Sequence, residues 1–273
     1  MRIDSLIMEV TRRCNMACKH CLRGDAENQD MTREIVDKTF EGVDEVGTIT
    51  FSGGEPFLNL DIIKYILQVV KEKSIFVGSF YLVTNGKEFK QENIDVMNEW
   101  MEYTTANYFG NNMLDSKGYF NMEDYCACGA VCVSRDAYHE PIPMENYLKY
   151  RSLSYYSTDK EESDDFAKYI RDEGKANENG IGKVPTRVSQ MYIDGDWEKV
   201  DGEWQFINRV VEEVYVSSNG EVVPDCDYSY DHQGDFSIGN LYDASMKEIF
   251  DDYIKDTIEA PEDDEVEDMP IAM

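Results

Sequence analysis

The chain has 273 residues, enough for one large α/β domain or two small ones. Fifty-six Asp and Glu against 26 Lys and Arg leave a formal charge of −30, which disfavours nucleic acid, whose binding rests on neutralising phosphates with Lys and Arg. No apolar run reaches membrane-spanning length and Met1-Arg2-Ile3-Asp4 lacks the apolar core of a signal peptide, so the sequence reads as cytoplasmic with no membrane partner.

Leu6 to Val10 reads as a first buried strand, ending at Thr11. Then comes Cys14-Asn15-Met16-Ala17-Cys18-Lys19-His20-Cys21, three cysteines at a Cys-x3-Cys-x2-Cys spacing. Thiolates are soft, anionic ligands for iron. Three on one loop can take three corners of a cubane [4Fe-4S] cluster and leave the fourth iron open to a small molecule. A structural zinc loop needs four closed ligands, and His20, the nearest fourth, is cramped. Three unrelated thiols are the other bland reading. Seven cysteines are an odd number. In a reducing compartment they read as metal ligands or free thiols rather than disulfides, and an exposed iron–sulfur site is oxygen-sensitive.

Thr32 to Val43 has helical spacing at Ile35, Val36, Thr39, Phe40 and Val43, with Thr32 as N-cap. Thr48 to Phe51 is the second strand and runs into Ser52-Gly53-Gly54-Glu55-Pro56. A helix opening at Asn59 or Asp61 carries Ile62, Ile63, Ile66, Leu67 and Val70 on one face. Phe80 to Val83 is the third strand, with Thr84-Asn85-Gly86 at its end. This β-α-β-α-β rhythm predicts parallel strands with helical crossovers. Chemistry in such folds gathers at the carboxyl ends of strands, where all three polar segments fall.

The chain from Cys14 to Pro56 resembles the radical S-adenosylmethionine (SAM) enzymes. That family carries its cluster on a Cys-x3-Cys-x2-Cys loop after the first barrel strand. An aromatic residue precedes the third cysteine, matched here by His20, and a Gly-Gly-Glu-Pro segment closes the second strand. The resemblance covers residues 3–136 and, more weakly, 205–250.

A helix from Gln91 to Tyr103 follows, then a stretch from Thr104 to Cys128 that reads as an insertion. Ala130 to Ser134 is a fourth strand, ending in Ser134-Arg135-Asp136. Asn146 to Arg151 reads as a short helix, Leu153 to Tyr156 as a fifth strand and Ser163 to Glu173 as a helix. Gly174-Lys175-Ala176 resembles a turn in barrel proteins of this kind. Beyond Val184 the strands Met191–Asp196, Trp204–Ile207 and Val214–Val223 are expected, with a hairpin signal at Ser218-Asn219-Gly220. A helix from Ser245 to Tyr253 precedes an acidic tail. The expected architecture is α/β, a partial (β/α)6 TIM-like barrel over residues 1–183. A small β-rich C-terminal extension follows over 184–256, and the tail covers 257–273.

The resemblance implies cofactors as well: a [4Fe-4S] cluster on Cys14, Cys18 and Cys21, and SAM chelated at its open iron. Reductive cleavage of SAM then yields a 5′-deoxyadenosyl radical that abstracts hydrogen from a substrate. Gly53 and Gly54 would let backbone approach SAM and Glu55 would accept its ammonium. Asn85 would meet the methionine end or the substrate. Ser134 and Asp136 would hold the ribose, and His20 would lie near the adenine. Each has a bland competitor: a tight turn at Gly53-Gly54, a solvated acid at Glu55, a common turn at Asn85-Gly86, helix caps at Ser134 and Asp136. His139 reads as a surface or core histidine or as a functional one. Cys126, Cys128, Cys132 and Cys226 could share one further metal site, although Cys132 sits in an apolar strand as a core thiol would.

The C-terminal block resembles the extension of peptide-modifying relatives. The expected substrate is therefore a peptide or protein. The alternatives are a small metabolite, such as a nucleotide or purine derivative, and a non-catalytic iron–sulfur or zinc protein. An external flavodoxin or ferredoxin would supply electrons.

Overall fold

In the computed structural model the residues described are 1–109, 128–135, 138–153, 166–186 and 189–261. Strand β1 (Arg2–Thr11) leads into helix α1 (Arg33–Thr39), β2 (Glu45–Gly53), α2 (Leu60–Glu72), β3 (Phe76–Thr84), α3 (Gln91–Phe109) and β4 (Gly129–Val133). Two shorter helices, α4 (Met144–Arg151) and α5 (Gly174–Glu178), follow. The chain continues through β5 (Ile193–Val200), β6 (Glu203–Val216), β7 (Glu221–Val223), β8 (Gly239–Asn240) and α6 (Met246–Thr257).

The sheet is open, with strand order β4-β3-β2-β1-β6-β7-β8 and β5 paired to β6. Strands β4, β3, β2, β1 and β6 run parallel, while β5, β7 and β8 are antiparallel additions. The α/β half-barrel expected from the β-α rhythm is present. Strand β6 pairs with β1 on the side away from β2, Ile7 lying opposite both Thr50 and Tyr215. The β-rich C-terminal strands therefore continue the same sheet, and β1 lies in its interior.

Period-two alternation gives the sheet two unlike faces. Leu6, Met8, Val10, Ile49, Phe51, Phe80, Leu82, Val131, Val133, Val214 and Val216 form one core with the helices, through Ile35, Ile63, Ile66, Trp100 and Phe250 among others. The other face carries Ser5, Thr48 and Ser79 in one row across β1–β3. Ile7, Thr50, Tyr81 and Ala130 form the next row. Among the described residues α1, α2, α3 and α6 pack on the apolar face. On the polar face the segment after β7 lies over β1 and β6, with Tyr228 and Phe236 against Ile7, Tyr215 and Val223.

Several local expectations hold in detail. Thr32 caps α1 by accepting from the Ile35 N–H at 3.3 Å. Ser245 caps α6 in a reciprocal box with Glu248. Others change. The separate strands expected at Trp204–Ile207 and Val214 onward are one 14-residue strand, β6. The expected helix through Glu173 is a single 3₁₀ turn, Phe166–Tyr169, and Arg171 then bridges to Val184. Most of the expected fifth strand, residues 154–156, lies outside the described residues, as do Cys126, Asp136 and the tail beyond 261.

Candidate functional site

The loop after β1 carries Cys14, Cys18 and Cys21, all partly exposed, at the carboxyl end of the parallel sheet. Both of its flanks are tied down. Past β2, the Gly54 N–H donates to Thr11 O and the Glu55 N–H to Arg13 O, each at 2.8 Å. A Cβ at Gly53, where φ is +143°, would meet Thr11 O at 2.2 Å, and one at Gly54 would meet Arg13 O at 2.4 Å. These glycines are required because the backbone leading to the cysteines packs directly on them. That reason is intramolecular and differs from the approach to a ligand expected from the sequence.

On the far side of the loop, Gly174 (φ +50°) leaves room for Leu22 O, 2.3 Å from where its Cβ would sit. The Lys175 N–H donates to Cys21 O at 2.9 Å, and Asn179 Nδ2 donates to Lys19 O at 3.0 Å. Between the first two cysteines, Glu140 accepts from the Ala17 N–H at 3.0 Å and pairs with Lys87 at 2.9 Å. Lys87 Nζ also donates to Asn15 O at 2.5 Å. The loop is thus held by residues from four parts of the chain.

Asn85 is 8% exposed. Its Nδ2 donates to Asn15 Oδ1 at 2.8 Å and approaches Cys14 Sγ at 3.7 Å. Glu55 lies behind it, 3% exposed. It accepts from the Asn85 N–H at 2.7 Å, Thr84 Oγ1 at 2.8 Å and the Phe57 N–H at 3.2 Å. Burial pushes its pKa up to about 7, against the pull of those donors. Burial also raises the Cys14 thiol.

Two cavities meet at the cysteines. One, about 410 Å³, runs onto the polar sheet face and is lined by Ser52, Gly53, Gly54, Asn85, Ser134 and His20, among others. Of the residues expected to contact SAM, His20, Gly53, Gly54, Asn85 and Ser134 line it; Glu55 does not, and Asp136 lies outside the described residues. His20 meets His139 edge to face, ring centroids 4.6 Å apart. The second cavity, about 430 Å³, lies on the other side of the loop and adds Arg12, Lys175 and Tyr230. Arg12, Tyr81 and Tyr230 went unassigned in the sequence, and Cys132 was read there as a core thiol or a ligand of a further metal site, not as part of this cavity. The inward parity of Tyr81 and Cys132 on their strands was the available signal for those two.

Beneath the loop, Glu9 is fully buried and accepts from Arg12 Nε at 2.9 Å, Ser218 Oγ at 2.8 Å, Tyr215 Oη at 2.5 Å and Gln233 Nε2 at 2.9 Å. Burial would raise its pKa. The charges of Arg12 and Arg23, with the Tyr215 and Gln233 hydrogen bonds, hold it below the usual range.

The donor set fits an iron–sulfur cluster. Among the described residues the three cysteine sulfurs do not gather within 4.8 Å of one another. A single tetrahedral zinc at Zn–S distances of about 2.3 Å would require closer convergence, whereas a cluster spreads its thiolates over different irons. Cys128 and Cys132 lie at β4, remote in the sheet from Cys226, which groups only with Glu213 and Asp225. A shared site for Cys128, Cys132 and Cys226 is therefore not formed.

Comparison with known proteins agrees with the loop. Residues 8–108 match the family model of the Radical SAM superfamily. A 65-residue stretch is 35% identical to an uncharacterized protein of Methanocaldococcus jannaschii, MJ0907, and covers 23% of each chain; the match spans about a quarter of that relative's length. Among solved structures, anSMEcpe with bound AdoMet and Cp18Cys peptide aligns at 15% identity and TM-score 0.42, over 92% of this chain and 80% of that one. Streptococcus suis SuiB bound to precursor peptide SuiA aligns at 10% and TM-score 0.44, over 90% and 64%. The superfamily uses a [4Fe-4S] cluster and SAM. The matched stretch, residues 8–108, holds Cys14, Cys18, Cys21 and Gly53-Gly54-Glu55, and through it the chain is similar to the Radical SAM superfamily.

Proposed function

We propose that this chain binds SAM beside a [4Fe-4S] cluster held by Cys14, Cys18 and Cys21, and abstracts hydrogen from a peptide or protein substrate on the polar face of the sheet. The observation that carries this is a three-thiol loop, pinned at both flanks, opening onto a cavity that reaches Ser134 and His139. When bound, the cluster and SAM supply a 5′-deoxyadenosyl radical.

The chain's own residues do the holding. Asn85, fixed by Glu55 and by Asn15, presents its amide next to Cys14. Glu55 acts as a positioning residue: its oxygens are taken by Asn85, Thr84 and Phe57, and it stands behind the cavity wall. Ser134 continues the ladder through its N–H to Thr84 O at 2.8 Å and lines the cavity, which supports a role toward the ribose hydroxyls. The glycine pair and the Glu140–Lys87 pair fix the backbone that carries the cysteines.

The peptide reading draws support from the unclosed sheet, whose polar face lines the cavity beside the cysteines. The test is anaerobic turnover: with dithionite and SAM, the wild-type chain should release 5′-deoxyadenosine and Cys18→Ala should not. Equal release by both would sink the assignment. Deuterium transfer from a labelled peptide into 5′-deoxyadenosine would establish the substrate class; transfer only from small metabolites would overturn it.

A further inference from the structure

Tyr230 belongs to the segment that follows β7 and crosses back over the polar face. It is 8% exposed, and its hydroxyl is buried without a hydrogen-bond partner among the described residues. Buried hydroxyls are nearly always paired, so such a group points to something that meets it. The ring is held from two sides. Its backbone N–H donates to Arg23 O at 3.0 Å, two residues past Cys21, and the Arg12 guanidinium lies 4.4 Å over the ring centroid. It lines the cavity that also holds Cys14, Cys18 and Cys21.

The phenol remains a donor. Burial drives its pKa well upward, the Glu9 charge adds to that, Arg23 opposes it, and the nearby Cys21 adds again. Arg12 is engaged with Glu9, Glu27, Asn219 and Gln233. The hydroxyl is therefore a buried donor without a partner among the described residues, on a ring that lines the cavity on this side of the cysteines.

We propose that the Tyr230 hydroxyl donates a hydrogen bond to a sulfur of the cluster bound at Cys14, Cys18 and Cys21, and thereby raises its reduction potential. This rests on the cluster reading above. Hydrogen bonds to cluster sulfurs stabilise the more negative, reduced state, and such outer partners tune the potential. The C-terminal segment would then set how readily the site accepts an electron.

The experiment is a redox titration of the anaerobically reconstituted full chain, followed by electron paramagnetic resonance, with iron and sulfide counted in each sample. Tyr230→Phe keeps the ring and its contact with Arg12. At equal iron content its midpoint should lie below the wild-type value; equal midpoints would overturn the proposal and leave the hydroxyl to water. Should Tyr230→Phe fold or load poorly, a fluorinated tyrosine placed at position 230 decides. Its more acidic hydroxyl donates more strongly and should move the midpoint upward, and an unmoved midpoint overturns the proposal. A wild-type chain that takes up no iron would instead remove the cluster, and this proposal with it.

Discussion

Glu9, near the end of β1, and Glu55, just past β2, are both enclosed and both accept several hydrogen bonds, yet their charge states are set in opposite directions. Glu9 has Arg12 at 2.9 Å and the Arg23 charge nearby, and its pKa falls below the usual range despite burial. Among the described residues Glu55 accepts from the neutral groups of Thr84, Asn85 and Phe57, and burial carries it to about 7. Neutral donors favour the carboxylate at both sites, but at Glu55 they do not offset burial, whereas at Glu9 the charges of Arg12 and Arg23 act with them. The β1–β6 side of the site is thus an ionic lock between the cysteine loop and the C-terminal strands. The β2–β3 side is held by neutral hydrogen bonds.

Breaking the lock should have the largest effect. Glu9→Ala strands Arg12 in a buried site and should cost about 3–5 kcal/mol of unfolding free energy, read from the denaturant midpoint. A loss below about 1 kcal/mol would show that the two halves are held elsewhere. The pH dependence sharpens the contrast. With its pKa raised, Glu55 contributes stability that is present below the unfolded value and lost as pH rises through about 7. That amounts to roughly 3 kcal/mol at 1.36 kcal/mol per unit. Glu55→Gln should flatten this slope between pH 5 and 8. Glu9, with its pKa lowered, behaves in reverse: its contribution is present above the unfolded pKa and lost on acidification.

Glu55→Ala should weaken SAM binding by about tenfold through displacement of Asn85, with iron content unchanged; unaltered affinity by calorimetry would free Asn85 from this dependence. The smallest effect is expected at Glu140→Gln. The pair with Lys87 is half exposed, so the denaturant midpoint should stay put, while a chelator should strip iron from the variant faster. Equal stripping rates would mean that the loop between Cys14 and Cys18 does not need this anchor.

Much of this was legible in the chain because the signals are local. The strand-to-cysteine succession, the Thr32 cap and the apolar stripe of α2 are carried by spacing alone. Partnerships across long sequence distances were not. Nothing near Glu9 announces Ser218 or Gln233, more than 200 residues away. The parallel pairing of β6 with β1 is equally silent, because alternation reports a strand's faces but not its neighbour. Gly53-Gly54 was legible as a motif, but its reason, the backbone of Thr11 and Arg13 against each missing Cβ, appears only in three dimensions. Tyr230 is one of 18 tyrosines, and no pattern in the sequence separates it from the others.

The most direct test of the central claim is the iron and sulfide content of the anaerobically reconstituted chain, beside that of Cys18→Ala. About four irons and four sulfides per wild-type chain, lost with the ~400 nm absorbance in the variant, is the predicted result. One metal ion per chain without sulfide, or full iron retention in Cys18→Ala, would contradict it.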